Sequence, residues 1–265
     1  MPINNALHSA KKDLVLCEDG SYTLYSHAFN EAYHSTKDGA LYESLEKHVK
    51  PALHLRSEKE KLTILDICFG LGYNTFATLY YIQKHHLNTK IHILSPEFDE
   101  ALVRSLHTFD FPSEFDSIRH IIRAVAEDLI YEDDQFKIEV LLGDARHILP
   151  AISKKVDIVY QDAFSPMHNP LLWTREWFFD VRGICNEDAI LTTYSTAAAI
   201  RLGLYENGFY IFVHRAQMMR YSTVASLTFL EGLEHIDMEL KKIRNTEAKS
   251  MRDEDYIQHK SMLSK

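Results

Sequence analysis

Positive charge is in short supply in this 265-residue chain: 29 lysines and arginines stand against 38 aspartates and glutamates, a formal charge of −9. A deficit of that size excludes a surface that gathers nucleic acid by broad electrostatic attraction, although it leaves room for a local basic patch. Cysteine is scarcer still. Cys17, Cys68 and Cys185 lie far apart with no C-x-x-C spacing, so neither a disulfide framework nor a zinc knuckle is expected, and a reducing compartment fits. No run of about 18 uninterrupted apolar residues occurs. The opening Met1-Pro2-Ile3-Asn4-Asn5 lacks the basic-then-apolar layout of a secretory signal. A cytoplasmic protein without a membrane partner is the expectation. Fifteen histidines are numerous, yet no H-E-x-x-H or comparable cluster appears, and no metal site is expected. Internal repeats, low-complexity segments and Pro/Gly/Ser linkers are absent as well, and 46% hydrophobic with 25% charged residues suits one main globular domain with appendages.

What is present is an alternation. Residues 62–67 form a short apolar β-rich run, and 75–86 carry Phe76, Leu79, Tyr80 and Ile82 at helical spacing. The pattern then predicts a strand over 90–95, a helix over 98–108, further helix over 113–131 and a strand over 137–142. A short helix over 145–152, a strand over 156–161, a helix over 171–183, a strand over 188–193 and a helix over 196–206 complete the series. Successive βα units imply a parallel sheet with helices on both faces, that is, an α/β fold. The core ends with 209–214 and 223–230, two strands joined by about eight residues with no helix between them. Such a terminal antiparallel hairpin is the finish of class I methyltransferases, whereas the dinucleotide-binding Rossmann sheet continues with parallel strands. The expected division is an N-terminal hairpin and helix over 1–58, a core over 59–232 and a charged helical tail over 233–265.

The first turn of that core reads Cys68-Phe69-Gly70-Leu71-Gly72-Tyr73-Asn74, following Asp66. In an open α/β sheet the ligand lies at the carboxyl ends of the strands, and glycines let it approach the backbone there. The G-x-G-x-x-G fingerprint fails at Thr75, and taken alone the loop is equally a plain strand-to-helix turn. Glu97, 25 residues beyond Gly72 at the tip of the second strand, is placed to accept both hydroxyls of a ribose. Asp144, after Gly143 at the third strand, is placed to reach an adenine amine, with Ala145 beside it. Glycine, acid and acid at three successive strand ends suit an adenosine ligand without a polyphosphate, and no P-loop is present.

At the fourth strand end stands YQDAFSPMHNPLLWT, residues 160–174. Asp162 is positioned to hold a substrate amine and accept its proton. Pro166 and Pro170 stiffen the loop, and Phe164 and Trp173 offer flat apolar surfaces. A structural reading coexists with this one, in which Asn169 caps a helix, Pro170 opens it and Trp173 is core.

These residues resemble the methyltransferase half of the bacterial enzyme family that completes 5-methylaminomethyl-2-thiouridine in tRNA, in its stand-alone form without the flavin oxidoreductase half. The likeness covers roughly residues 18–230. Asp162-Ala-Phe-Ser-Pro-Met-His-Asn-Pro-Leu-Leu-Trp-Thr is similar to the family's D-G-F-A-P-x-x-N-P-x-M-W-T, and Phe69-Gly70-Leu71-Gly72-Tyr73-Asn74 to F-G-T-G-x-N. Glu97, Gly143-Asp144 and Tyr33-His34-Ser35 add support. The chain departs from the family at Cys68, where glycine is usual, at Leu71, which replaces threonine, and in a basic run thinned to Arg215-Ala-Gln-Met-Met-Arg220.

The resemblance implies a class I S-adenosylmethionine-dependent methyltransferase fold. It also implies N-methylation of the exocyclic amine of 5-aminomethyl(-2-thio)uridine at the wobble position of tRNA. S-adenosylmethionine would be held by Asp66, Phe69, Gly70, Gly72, Asn74, Glu97, Asp144 and Ala145. Asp162 would be catalytic, and the anticodon arm would be met by Tyr33, Phe164, Pro166, Asn169, Trp173 and Arg220. A functional link to a separate flavin oxidoreductase or to other wobble-uridine enzymes is implied too. Two further readings remain open: methylation of a small-molecule amine, which suits the net acidity, and a non-catalytic binding protein, which suits Cys68. The cluster Lys241, Lys242, Arg244, Lys249 and Arg252 reads either as a solvated helix or as a phosphate contact.

Overall fold

The structure, a computed structural model, describes residues 11–216 and 219–256. Near the N-terminus β1 (Lys12–Leu16), β2 (Tyr22–Ser26) and β3 (Glu31–Ala32) pair antiparallel as a small sheet. A helical segment comes next in three parts: Ala40–Glu43 is α, Ser44–Val49 is a π-turn and Lys50–Leu55 is α again. Pro51 accounts for the wide turn. It has no N–H to donate to the carbonyl four residues back and its ring crowds that carbonyl, so the Lys50 N–H reaches five residues back to the Leu45 carbonyl.

The core sheet has nine strands in the order β12-β10-β11-β9-β8-β4-β5-β7-β6. Here β4 is Lys61–Ile67, β5 Lys90–Glu97, β6 Ile130–Glu132, β7 Phe136–Leu142 and β8 Val156–Gln161. The remainder are β9 (Cys185–Thr193), β10 (Tyr210–His214), β11 (Ser222–Ser226) and β12 (Glu234–His235). The central five are parallel, while β11 runs antiparallel between β9 and β10. This is the class I methyltransferase arrangement, terminal hairpin included. Strand order reverses between β4 and β8, which opens a crevice at their carboxyl ends. Both strands are buried on both faces, as a parallel sheet covered by helices requires.

Four boundaries differ from expectation. Residues 130–132 are strand, not helix: Leu129 takes a left-handed conformation that stops the helix Arg119–Asp128, and the chain turns back along β7. The last strand stops at Ser226, whose hydroxyl accepts the Thr228 amide and bends the chain. Pro170–Leu172 is a separate 3-10 turn. The helix after it, Arg175–Ile184, is capped by the Thr174 hydroxyl, which accepts from the Trp177 amide, so Asn169 is not its cap. The tail is broken rather than one helix as far as residue 256, with 257–265 outside the described residues: β12 extends the sheet, Met238–Arg244 is helical, and Asp253–Tyr256 is a 3-10 turn. Arg252 donates to Glu176 at 2.6 Å, which commits it to packing.

Gln161, fully buried at the end of β8, pins the long loop beyond it. Its amide donates to the Leu172 carbonyl and its oxygen accepts from the Trp177 indole, both at 2.9 Å. Gln161→Leu keeps the volume but strands two buried polar groups, so unfolding free energy should drop by roughly 2–6 kcal/mol. Urea denaturation of the two proteins measures this, and an unchanged midpoint would show that the loop is held otherwise.

Candidate functional site

Three left-handed residues within five, Cys68, Gly70 and Gly72, curl the chain from β4 into the helix Tyr73–Lys84. A side chain is excluded at Gly72 and crowded at Gly70, and the left-handed backbone strains one at either. A Cβ on Gly70 would come within 3.1 Å of the Tyr33 ring, and one on Gly72 within 2.5 Å of Phe76 and 2.8 Å of Phe69. Cys68 bears this conformation with a side chain, at a cost of about 1–2 kcal/mol. Glycine would escape that cost. Glu97 organises the neighbouring loops: one oxygen accepts the Gly70 amide and the other accepts the Phe98 and Asp99 amides, all at 2.7 Å. Burial raises its pKa, and the three amides pull the other way.

These loops border a cavity of about 810 Å³ at the carboxyl edge of the sheet. Phe69, Gly70, Asn74, Glu97, Asp144 and Ala145 line it on the cofactor side; Asp162, Phe164 and Asn169 line it on the other, with Tyr33 of the N-terminal segment above. Asp144 caps its short helix and is held by Arg146 at 2.7 Å. Burial pushes its pKa up, but the guanidinium more than reverses this and leaves it low.

Two acids share one amide at the crevice. Asn74 Nδ2 donates to Asp162 Oδ2 at 2.8 Å and approaches Asp66 Oδ1 at 3.5 Å, while Thr75 Oγ1 donates to Asp66 at 2.7 Å. Burial pushes Asp66 up to about 7. Asp162 goes the opposite way: burial opposes its charge, but His48 and Asn74 outweigh that and hold the carboxyl below the usual carboxylate range. His48 Nε2 lies 3.4 Å from Asp162 Oδ1, and its Nδ1 is fixed by the Thr192 hydroxyl at 2.9 Å.

Several expected site residues stand elsewhere. Trp173 is fully buried and its indole donates to the Phe164 carbonyl at 2.7 Å, so it is a core residue and not a stacking surface. Asp66 and Gly72 lie beneath the cavity wall, and Pro166 does not line it. Arg220 borders a separate recess; Gln217 and Met218 of the same run lie outside the described residues. The residues missed by sequence reading include His48, Phe29 and Glu31. Phe29 stacks on Phe164 with ring centroids 4.5 Å apart, and Glu31 accepts both the amide and the hydroxyl of Ser165. No motif marks them. The apolar spacing of Leu41, Leu45, Val49 and Leu53 was the one available sign that this segment packs on the core.

The lining fits S-adenosylmethionine, whose sulfonium and ammonium are both cationic. Carboxylates predominate, and of the three lysine and arginine side chains in the lining, Lys12, Lys37 and Arg146, two are already bound, Lys12 to Asp99 and Arg146 to Asp144. Asn74 Oδ1 is buried without a partner among the described residues, an acceptor free for an ammonium N–H. Removing Glu97 in Glu97→Ala should weaken cofactor binding by roughly 2–4 kcal/mol, measured by calorimetry. Equal affinity would take Glu97 out of the site. For Asp66 the raised pKa means that the unfolded chain loses this proton first as pH rises. Its contribution therefore lowers stability between about pH 4 and 7 and levels off above. Asp66→Asn should gain on wild type across that interval, by up to about 4 kcal/mol. Parallel melts at pH 4, 6 and 8 check this, and a constant difference would assign Asp66 an ordinary titration.

Comparison with known proteins agrees with this geometry. A family model described as S-adenosyl-L-methionine-dependent methyltransferase matches residues 116–227. Among solved structures, MnmC2 from Aquifex aeolicus superposes with a TM-score of 0.81 at 31% identity, covering 93% of this chain and 80% of its own. The uncharacterized protein MJ0670 of Methanocaldococcus jannaschii is 33% identical over 202 residues, 75% of this chain and 54% of that protein. The tRNA 5-methylaminomethyl-2-thiouridine biosynthesis bifunctional protein MnmC of Azoarcus sp. (strain BH72) is 29% identical over 238 residues, 83% of this chain and 36% of that protein. The chain thus spans about half the length of the first of these two relatives and about a third of the second. No helix among the described residues is long and apolar enough to cross a membrane. Sharing nearly one residue in three with MnmC2 across most of both chains, this protein belongs to the S-adenosyl-L-methionine-dependent methyltransferases related to MnmC, and S-adenosylmethionine is its cofactor.

Proposed function

We propose that this protein methylates the exocyclic amine nitrogen of 5-aminomethyl(-2-thio)uridine at the wobble position of tRNA. The observation that carries the reading is Asp162: a carboxyl held in its charged form at the end of β8, beside a free amide acceptor and an aromatic wall. The names of the MnmC relatives support the choice of substrate.

Bound S-adenosylmethionine supplies an electrophilic methyl group. The chain's own residues must deliver a neutral amine to it. A primary amine with a pKa near that of lysine, about 10.4, is protonated at neutral pH, and freeing its lone pair costs up to about 4 kcal/mol. Asp162 attracts the ammonium and, once the proton has passed to water, holds the nitrogen through a remaining N–H. His48 keeps the Asp162 carboxyl oriented, since its own ring is locked by Thr192. A planar base fits against Phe164, which Phe29 backs on one side and Tyr33 meets edge-on at 4.8 Å. Orientation of this kind supplies about 7–11 kcal/mol in well-placed pairs, the largest contribution available here.

Asp162→Asn retains size and removes both the charge and one of the two carboxylate acceptors for the amine. Methyl transfer to tRNA bearing 5-aminomethyluridine, followed by nucleoside mass spectrometry, should slow at least about 10²-fold with cofactor affinity little changed. A variant nearly as fast as wild type would make Asp162 structural. Methylation of a free small amine with none on tRNA would replace the substrate with a metabolite.

A further inference from the structure

On the same carboxyl edge as the cofactor cavity lies a second recess of about 520 Å³, lined by Thr196, Arg201, Val213, Met219, Arg220 and Tyr221. Arg201 projects from the helix Ala198–Glu206. Its Nε donates to the Thr223 hydroxyl at 3.0 Å, and that hydroxyl donates to the Ser195 carbonyl at 2.6 Å, so the guanidinium is held in one orientation. The two Nη groups have no partner among the described residues. Half-burial disfavours the charge of Arg201, and no carboxylate among the described residues offsets it. Two arginines elsewhere are matched: Arg146 by Asp144, and Arg56 by the Leu55 carbonyl, with Asp188 4.0 Å from its Nε. Arg215, close by, is also matched, paired with Glu234 while it covers the Tyr221 ring at 4.2 Å. A desolvated guanidinium with unused donors, a second arginine, Arg220, without a partner among the described residues, and the hydroxyls of Thr196 and Tyr221 are the parts of an oxyanion site.

We propose that this recess binds a backbone phosphate of the substrate nucleic acid, with Arg201 donating through its Nη groups and Arg220 closing over the anion. The assignment rests on the tRNA reading above. Its position suits the role: the recess borders β9, β11 and β10, one to three strands beyond β8, which puts it roughly 5–15 Å across the sheet from the strand that leads into Asp162. That is the span from a reacting base substituent to the backbone of its own or the adjoining nucleotide. A chain of charge −9 cannot hold RNA by its overall field, so anion binding has to be concentrated at such points.

Two measurements on the full chain decide the matter. Anisotropy of a fluorescein-labelled anticodon stem-loop RNA, titrated across salt concentrations, should show a log K against log salt slope that shrinks by about 0.7–0.9 in Arg201→Gln. The exposed Arg220→Gln, which disturbs no packing, should do the same, and Arg201→Lys should retain most of the slope. Separately, phenylglyoxal labelling of Arg201, read by peptide mass spectrometry, should be suppressed by inorganic phosphate in the protein alone. Unchanged slopes in both glutamine variants overturn the proposal even if phosphate protects, since the recess would then hold only an adventitious ion. If the wild type binds no RNA, the tRNA reading fails. Phosphate protection would then keep the anion site and its absence would remove it.

Discussion

Two carboxyl groups on adjacent strand ends, sharing one amide donor, set the terms for the rest of this site. Asp66 and Asp162 are too close for both to carry charge cheaply, and the surroundings resolve the conflict by pushing them apart in pKa. Asp66 lies inside the fold against neutral hydroxyl and amide groups. Asp162 faces the cavity and His48. The charge is thereby placed first on the acid that can meet a substrate, while its partner keeps its proton until pH approaches about 7. The glycine loop, the Asn74 rotamer and the histidine behind Asp162 all serve to keep that division stable.

The roof over the cavity comes from the other end of the chain. Glu31 grips Ser165 in the loop after β8, Lys12 bridges to Asp99 in the loop after β5, and the Tyr73 hydroxyl donates to the Tyr22 carbonyl. Three ties, to two loops and to the start of the helix Tyr73–Lys84, turn an open crevice into a partly enclosed chamber. Enclosure strengthens each charge contact within it and limits access of water to the methyl donor. The small N-terminal sheet is therefore part of the reaction vessel as much as the core is.

The alternation of strands and helices was legible in the sequence because parallel strands buried on both faces stand out as apolar runs, and their carboxyl ends could be counted off to Gly70, Glu97, Asp144 and Asp162. Trp173 was ambiguous for a physical reason: an aromatic residue beside proline reads equally as a ligand surface or as core, and only the destination of its N–H decides. His48 was out of reach. It meets Thr192 across 144 residues and is one of fifteen histidines without a pattern. Contacts of that separation depend on how the first segment folds back, and local periodicity carries no record of it.

The π-turn before Pro51 makes the first helical segment sensitive to length as well as composition. One extra residue is accommodated there relative to an α-helix. Because Pro51 imposes the wide turn, deleting any residue from 44–49 would leave that turn in place and rotate everything before it by about 100° relative to the helix Lys50–Leu55 and the core beyond. His48 and the roof hairpin would then fall out of phase with Asp162, although every hydrophobic position nearby had kept its character. In this stretch, chain length is itself a specification of the active site, and an insertion or deletion would be more disruptive than most substitutions.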